Sequence, residues 1–138
     1  MDLPKVLTQT RALWLLGAGA LDLRLATVWL LWSPMVRPLA YEHGRIAENI
    51  LAGKGFSIEF LGVEGPTSQQ APFYPYLLAV SYLLFGVGSP RAILAVQLLQ
   101  CLVGTGLVLA VAALAWTLLP ERQAVGWWAG GLAALFPI

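Results

Sequence analysis

The chain has 138 residues, of which 59% are hydrophobic and only 11% are charged, and its mean hydropathy is +0.75. Soluble domains usually carry about 25% charged residues, so the composition excludes an ordinary soluble domain and predicts a membrane protein. The net charge of +1, without a basic stripe, argues against nucleic acid as a partner, and the single cysteine, Cys101, excludes an intrachain disulfide.

The first apolar stretch, residues 12–32, predicts a membrane-spanning helix. A helix needs about 20 residues to cross the hydrocarbon core of a bilayer. Trp14 near one end and Trp29 near the other are typical of interfacial aromatic belts. The basic residues that precede the stretch predict a cytoplasmic N-terminus, which makes the loop of residues 33–71 extracytoplasmic.

Two charged residues, Asp22 and Arg24, lie within this first stretch. Because they are two positions apart, they point to different sides of a helix and cannot pair with each other. Ionisable residues inside a membrane usually face other helices and mark a functional site. The alternatives for Arg24 are that it reaches the outer interface or pairs with a segment beyond residue 138.

Residues 41–52 predict a short amphipathic helix after the first span, and Gly53 is typical of its end. Ile46 and Ile50 belong to its apolar face, whereas Arg45 lies on the opposite, polar face. We expect such a helix to lie along the membrane surface with its apolar side down.

The next segments predict a loop and a second short helix. Residues 56–70 have no clear period and contain two glycines and a proline, which indicates an irregular loop. Residues 72–85 are apolar but about six residues short of a span, which predicts an interfacial or re-entrant helix that begins near Pro75. Its aromatic residues are expected at the level of the lipid headgroups: Phe73, Tyr74, Tyr76 and Tyr82.

Residues 92–119 predict a second full span, long enough even with tilt, and residues 126–138 predict part of a third. Gln97, Gln100 and Gly104 share one face of the second span, which suits contact with another helix. The predicted fold is an all-α membrane protein formed by residues 1–138 as one unit. It has two full transmembrane helices, a partial third, and one or two interfacial helices within an extracytoplasmic region of residues 33–90.

The sequence offers little for most kinds of catalytic chemistry. With one histidine and one cysteine it has no metal-binding spacing, and no serine lies in a nucleophile turn. What remains is Glu42, at the start of the amphipathic helix, where the helix N-terminus favours an ionised carboxylate that can act as a general base. The alternative is that Glu42 is simply a charge on a solvated face.

The segment from residue 41 to residue 78 resembles the first extracytoplasmic loop of bacterial membrane glycosyltransferases of the GT-C class. These are the enzymes of glycosyltransferase family 39, which are similar to dolichyl-phosphate-mannose–protein mannosyltransferases. In that family an acidic residue after the first span precedes a pattern like R-I-A-x-N-L-L-x-G-x-G-F. Here Glu42 precedes RIAENILAGKGF at residues 45–56, GPT follows at 65–67, and APFYPYLLA follows at 71–79.

The resemblance implies an enzyme of the bacterial inner (plasma) membrane. It would transfer a sugar from a polyprenyl-phosphate carrier to a lipid, glycan or protein acceptor on the outer side, with Glu42 as the base that activates the acceptor. Many relatives have Asp or an Asp-Glu pair where this chain has Tyr41-Glu42. The residues expected to bind substrate are His43, Arg45, Gln69, Gln70, Tyr74 and Tyr76. The alternative is that the tyrosines anchor the chain at the interface and that the polar residues keep the loop soluble. No pattern specifies a cofactor, and a contribution from a divalent cation stays open.

Length is where the chain departs from the resemblance, because such enzymes have many more spans. We therefore expect a fragment, a truncated relative or one piece of a split assembly, without a complete site of its own. The other hypothesis is a small non-catalytic membrane accessory or scaffold protein. Its face at Gln97, Gln100 and Gly104 would then contact a partner membrane subunit, with membrane lipids around both.

Overall fold

The computed structural model describes residues 3–31 and 42–136, and this part of the chain is mostly helical, as predicted. It forms five helices and one two-stranded hairpin: α1 Leu3–Leu31, α2 Glu42–Leu51, β1 Ser57–Phe60, β2 Val63–Pro66, α3 Phe73–Phe85, α4 Pro90–Leu118 and α5 Gln123–Leu135. The chain divides into two compact units. We call residues 1–32 and 98–138 the helical unit and residues 33–97 the loop unit; α4 contributes to both.

Among the described residues, two helices are long and apolar enough to cross a membrane, by length and composition: Thr8–Leu31 within α1, and α4. The first begins at Thr8 rather than at residue 12, and the helix that contains it extends back to Leu3. The segment before position 12 can continue the helix because it contains no glycine. Its one proline, Pro4, lies in the first turn of α1, where proline is tolerated. Trp32 and Tyr41, with the prolines between them, lie outside the described residues.

Small residues let the helices of the helical unit approach one another closely. A Cβ atom built on Gly126 of α5 would lie 2.1 Å from Nε1 of Trp116 on α4. One built on Gly130 would lie 2.9 Å from Leu16 on α1. The buried centre of this unit consists of Ala12, Ala112 and Trp116, with Leu13 and Leu16 packed against it.

The loop unit has an apolar core of its own, formed where α2 packs on α3. Its buried residues are Ala47, Leu78, Ala79, Tyr82, Ala92 and Val96. The predicted amphipathic helix is confirmed as α2, but the predicted destination of its apolar face is wrong. That face packs against α3, with Ala47 in contact with the core cluster that α3 contributes to, and Ile46 and Ala47 are fully buried.

Helix α3 also differs from its prediction. It begins at Phe73, directly after Pro72 and two residues before the predicted start near Pro75; Pro75 fits inside the first turn, where its missing N–H has no helical acceptor. The difference lies in the position of one aromatic residue. Tyr82, expected at the headgroups, is only 4% exposed within the core of the loop unit. Phe73 is 79% exposed and does point away from the core.

The prediction of an irregular loop at residues 56–70 is wrong for the strands β1 and β2. They pair antiparallel, with Ser57 opposite Pro66 and Phe60 opposite Val63. The two residues between the strands, Leu61 and Gly62, have φ of +52° and +79°, which is typical of the two-residue type I′ hairpin turn. Leucine rarely adopts positive φ, so the turn carries a weak sequence signal.

Candidate functional site

The candidate base, Glu42, is the first residue of α2 and its side chain is exposed. The Nε2 group of Gln70 donates a hydrogen bond to Oε2 of the Glu42 carboxylate. Gln70 lies 28 residues further along the chain, between β2 and α3, and is half-buried. The fold therefore brings together two of the predicted site residues that the sequence keeps far apart.

A second contact joins the start of α2 to the start of α3. The rings of His43 and Tyr74 meet edge to face, with centroids 5.0 Å apart and planes at 82°. Nδ1 of His43 is buried and has no hydrogen-bond partner within the described part of the chain. Tyr74 also packs against the core of the loop unit. Glu42, His43, Gln70 and Tyr74 thus form one cluster, which we call the α2–α3 cluster.

The other three predicted substrate-binding residues stand apart from these contacts. Arg45 is exposed and lies 3.8 Å from the carboxylate of Glu48, one turn further along α2. The Tyr76 ring packs on Phe56, with centroids 6.0 Å apart. Gln69 is exposed, and its backbone N–H donates to the hydroxyl of Thr67.

Behind the cluster, the core of the loop unit includes one buried titratable group. Burial raises the pKa of the Tyr82 hydroxyl above its ordinary value of 10.0, and the Glu48 carboxylate and Tyr74 raise it further. A buried phenol in an apolar surrounding is stabilised in its neutral form because desolvation penalises the phenolate. Tyr82 is therefore a neutral core residue at physiological pH.

The described residues offer no evident metal centre. In segments 3–31 and 42–136, no three His, Cys, Asp or Glu side chains come together as a metal site requires. The acidic residues of the loop unit are used differently, since Glu64 pairs with Lys54 Nζ at 2.9 Å.

Sequence reasoning missed the link between α2 and the hairpin. Nδ2 of Asn49 donates a 3.0 Å hydrogen bond to the backbone oxygen of Ser57. In the sequence, Asn49 is only one of the polar residues of the predicted amphipathic helix of residues 41–52. No strand was predicted at Ser57, so nothing indicated an acceptor there. This bond and the Gln70–Glu42 bond both tie α2 to the segment that follows it.

The charged residues within α1 have different environments. Asp22 is exposed, whereas Arg24 is half-buried and its Nη1 donates to the backbone oxygens of Ala20, at 3.2 Å, and Ala134, at 3.4 Å. Ala134 lies in the last turn of α5, and a cation near a helix C-terminus is favoured by the helix dipole. Among the described residues, Nη1 of Arg24 therefore has backbone partners in α1 and α5, whereas its Nε is buried without a hydrogen-bond partner.

The polar face predicted on α4 is largely covered. Gly104 is buried, and Gln97 and Gln100 are half-buried. Oε1 of Gln97 is buried without a hydrogen-bond partner among the described residues. These three residues therefore offer little exposed surface, and contact with a partner membrane subunit stays a prediction.

Comparison of the chain with protein-family models, curated proteins and solved structures gives no match. The resemblance to GT-C glycosyltransferases therefore stays a prediction that rests on the residues themselves. The structure adds the arrangement of the α2–α3 cluster, in which an exposed carboxylate is held by an amide and lies beside a histidine–tyrosine pair.

Proposed function

We propose that the chain is the N-terminal part of a GT-C-class membrane glycosyltransferase, and that Glu42 is its general base. The observation that supports this proposal is the contact of Glu42 with Gln70. An exposed carboxylate normally samples many rotamers, but a hydrogen bond from a second segment restricts it. A general base has to lie within hydrogen-bond reach of the proton that it accepts, so a held carboxylate suits this role.

The proposed reaction joins an acceptor hydroxyl to a sugar from a polyprenyl-phosphate carrier. Glu42 takes the proton as the acceptor O–H bond breaks, and the acceptor oxygen forms a bond to the anomeric carbon of the sugar. The bond between that carbon and the phosphate oxygen breaks, and its electron pair leaves with the polyprenyl phosphate. The protonated Glu42 then releases its proton to water, which restores the base.

The membrane is the environment that best explains the exposed surface of the helical unit. Only 6% of the apolar window in α1 is buried, and Trp14 and Trp29 are 78% and 81% exposed. Exposed apolar surface of this extent is unfavourable in water. This surface supports the proposal that α1 and α4 cross the bacterial plasma membrane. The basic residues before the first span support a cytoplasmic N-terminus, with the loop unit outside.

The remaining predicted residues have proposed roles toward the substrates. Arg45 is exposed one turn after Glu42 on α2, and a guanidinium suits the phosphate of the lipid carrier because it can donate two parallel hydrogen bonds. Tyr76 is 51% exposed and offers an aromatic face to a prenyl chain or a sugar ring. Gln69 offers an exposed amide to sugar hydroxyls.

The test is the Glu42→Gln variant of the full-length protein. The measurement is the rate of sugar transfer from a polyprenyl-phosphate-linked donor. Removing a general base typically lowers the rate by about 10²- to 10⁴-fold, and we expect a loss in this range with unchanged membrane localisation. The control is Glu59→Gln, the same substitution at an exposed carboxylate of β1, which should retain activity. Undiminished turnover in Glu42→Gln would remove Glu42 from the mechanism.

A further inference from the structure

We propose that Gln70 is a positioning residue for Glu42 rather than a substrate-binding residue. This inference rests on the proposed function, since it assigns Gln70 a task in the same reaction. Gln70 would hold one carboxylate oxygen, Oε2, and leave Oε1 directed toward the acceptor hydroxyl. The sequence suggested only that Gln70 contacts sugar or phosphate oxygens.

The backbone around Gln70 is suited to hold a side chain in place. Two residues later, Pro72 precedes α3 with φ of −68°, and its carbonyl accepts the backbone N–H of Tyr76 at 3.2 Å. The first turn of α3 is fixed to α2 through the contact of Tyr74 with His43. Gln70 therefore lies only two residues before a helix whose first turn is held against α2.

The chemistry of the pair defines the direction of the hydrogen bond. A carboxylate can only accept, and the amide NH₂ of glutamine supplies the donor. Because the Nε2 group of Gln70 already donates to Glu42, the orientation of the amide is set without a substrate. Glutamate at position 70 would have the same shape but would place a second acceptor, with the same charge, against Glu42.

The first measurement is the kinetics of Gln70→Glu in the full-length protein. A positioning role predicts that kcat for sugar transfer falls by about ten- to a hundredfold, since small displacements of a catalytic group have effects of this size. KM for the lipid-linked donor and for the acceptor should stay within about twofold of the wild type. A residue that only orients Glu42 makes no contact with either substrate in the ground state. A raised KM with unchanged kcat would instead assign Gln70 to substrate binding and overturn the inference.

The second measurement tests the contact without any assay of transfer. Gln70→Glu should lower the thermal unfolding midpoint in detergent, because two carboxylates then face each other. The exchanged variant, Glu42→Gln with Gln70→Glu, restores one donor and one acceptor and should recover the midpoint. It should not recover kcat, because the carboxylate now stands at position 70. A midpoint that does not recover would show that the two side chains do not meet and would overturn the inference.

The control for the exchange is Asn49→Asp, which removes another amide donor from the loop unit. Its effect on the midpoint should add to that of Glu42→Gln instead of being cancelled by it, since separated sites are usually additive. The two measurements also separate the two proposals. If Glu42→Gln leaves transfer intact, the proposed function fails even where the midpoints show the contact. If Glu42→Gln abolishes transfer while Gln70→Glu does not change kcat, only the positioning role fails.

Discussion

Different interactions stabilise the interior of each of the two units of the chain. In the helical unit, glycines lie against large side chains, as Gly126 does against Trp116, and the outer surface is apolar. In the loop unit, an apolar core lies beneath side chains that form hydrogen bonds and ion pairs, such as Asn49 to Ser57 and Lys54 to Glu64. Close backbone approach is typical of helices that associate in lipid, where the hydrophobic effect between helices is weak.

This difference explains where the candidate chemistry lies. A carboxylate is costly in hydrocarbon unless it is paired, whereas on a polar surface it can stay ionised and reach a substrate. The loop unit provides such a surface together with a core that fixes α2 against α3. The helical unit would then supply the attachment to the membrane, and the loop unit the exposed cluster around Glu42.

The largest expected effect tests the close packing of the helical unit. Gly126→Ala would place a methyl group 2.1 Å from the indole of Trp116. That indole is buried and its Nε1 donates to the backbone oxygen of Gln123 at 2.9 Å, so it has little freedom to move. We expect a loss of about 1–3 kcal/mol in the free energy of unfolding, as is usual for overpacking, measured by unfolding in detergent.

The matched control lies on the same helix. A Cβ atom on Gly131 would meet nothing within 4 Å, so Gly131→Ala should be neutral or stabilise α5 by up to about 1 kcal/mol through helix propensity. If the two alanine variants have equal stability, the close packing of α4 on α5 is not what holds the helical unit together.

The next effect belongs to the core of the loop unit and depends on pH. Burial raises the pKa of Tyr82 in the folded protein above its ordinary value of 10.0. Its contribution to stability is fully present below about pH 10, the pKa of an unfolded tyrosine, and is lost as the pH rises through the folded pKa. Unfolding midpoints measured at increasing pH should therefore fall in the alkaline range.

The variant Tyr82→Phe removes this ionisation and should weaken the alkaline fall. Tyr76→Phe is the control, because its hydroxyl belongs to a side chain of α3 that is 51% exposed. An identical alkaline fall in Tyr82→Phe and the wild type would show that Tyr82 is not buried in the core of the loop unit.

Periodic apolar residues made the helices predictable, while contacts between distant residues were not. Long, mainly apolar segments predicted α1 and α4, and the apolar face at Ile46 and Ile50 predicted α2. The hairpin was missed because each strand has only four residues and its turn contains Leu61 at positive φ, where glycine or asparagine is the usual signal.

The candidate site was predicted as a set of residues but not as an arrangement. Glu42 followed from its position at the start of the predicted helix and from the family resemblance, whereas His43 followed only from the resemblance. The contact of Glu42 with Gln70 depends on how the hairpin and Pro72 return the chain to α2, and no local pattern encodes that path. The destination of the apolar face of α2 was wrong for the same reason, since amphipathicity shows that a face is covered but not by what.

The smallest expected effect concerns charge on the hairpin. Glu59 and Glu64 are direct cross-strand partners, and like charges at such positions are destabilising. Lys54 compensates Glu64. Glu59→Lys would replace the repulsion by an attraction and should stabilise the loop unit by about 0.2–1 kcal/mol. The measurement is the unfolding midpoint at low and at high salt.

Salt separates an electrostatic gain from one due to strand propensity. At about 1 M salt the Debye length is roughly 3 Å, so a gain from charge at exposed positions should largely disappear there, whereas a propensity effect should persist. Glu121→Lys makes the same change of charge at an exposed position of the helical unit and controls for net charge. If both variants gain equally, the effect comes from the total charge of the protein. If only Glu59→Lys gains, and only at low salt, the stability of the loop unit depends on pairwise contacts between its surface charges, which the apolar surface of the helical unit does not provide.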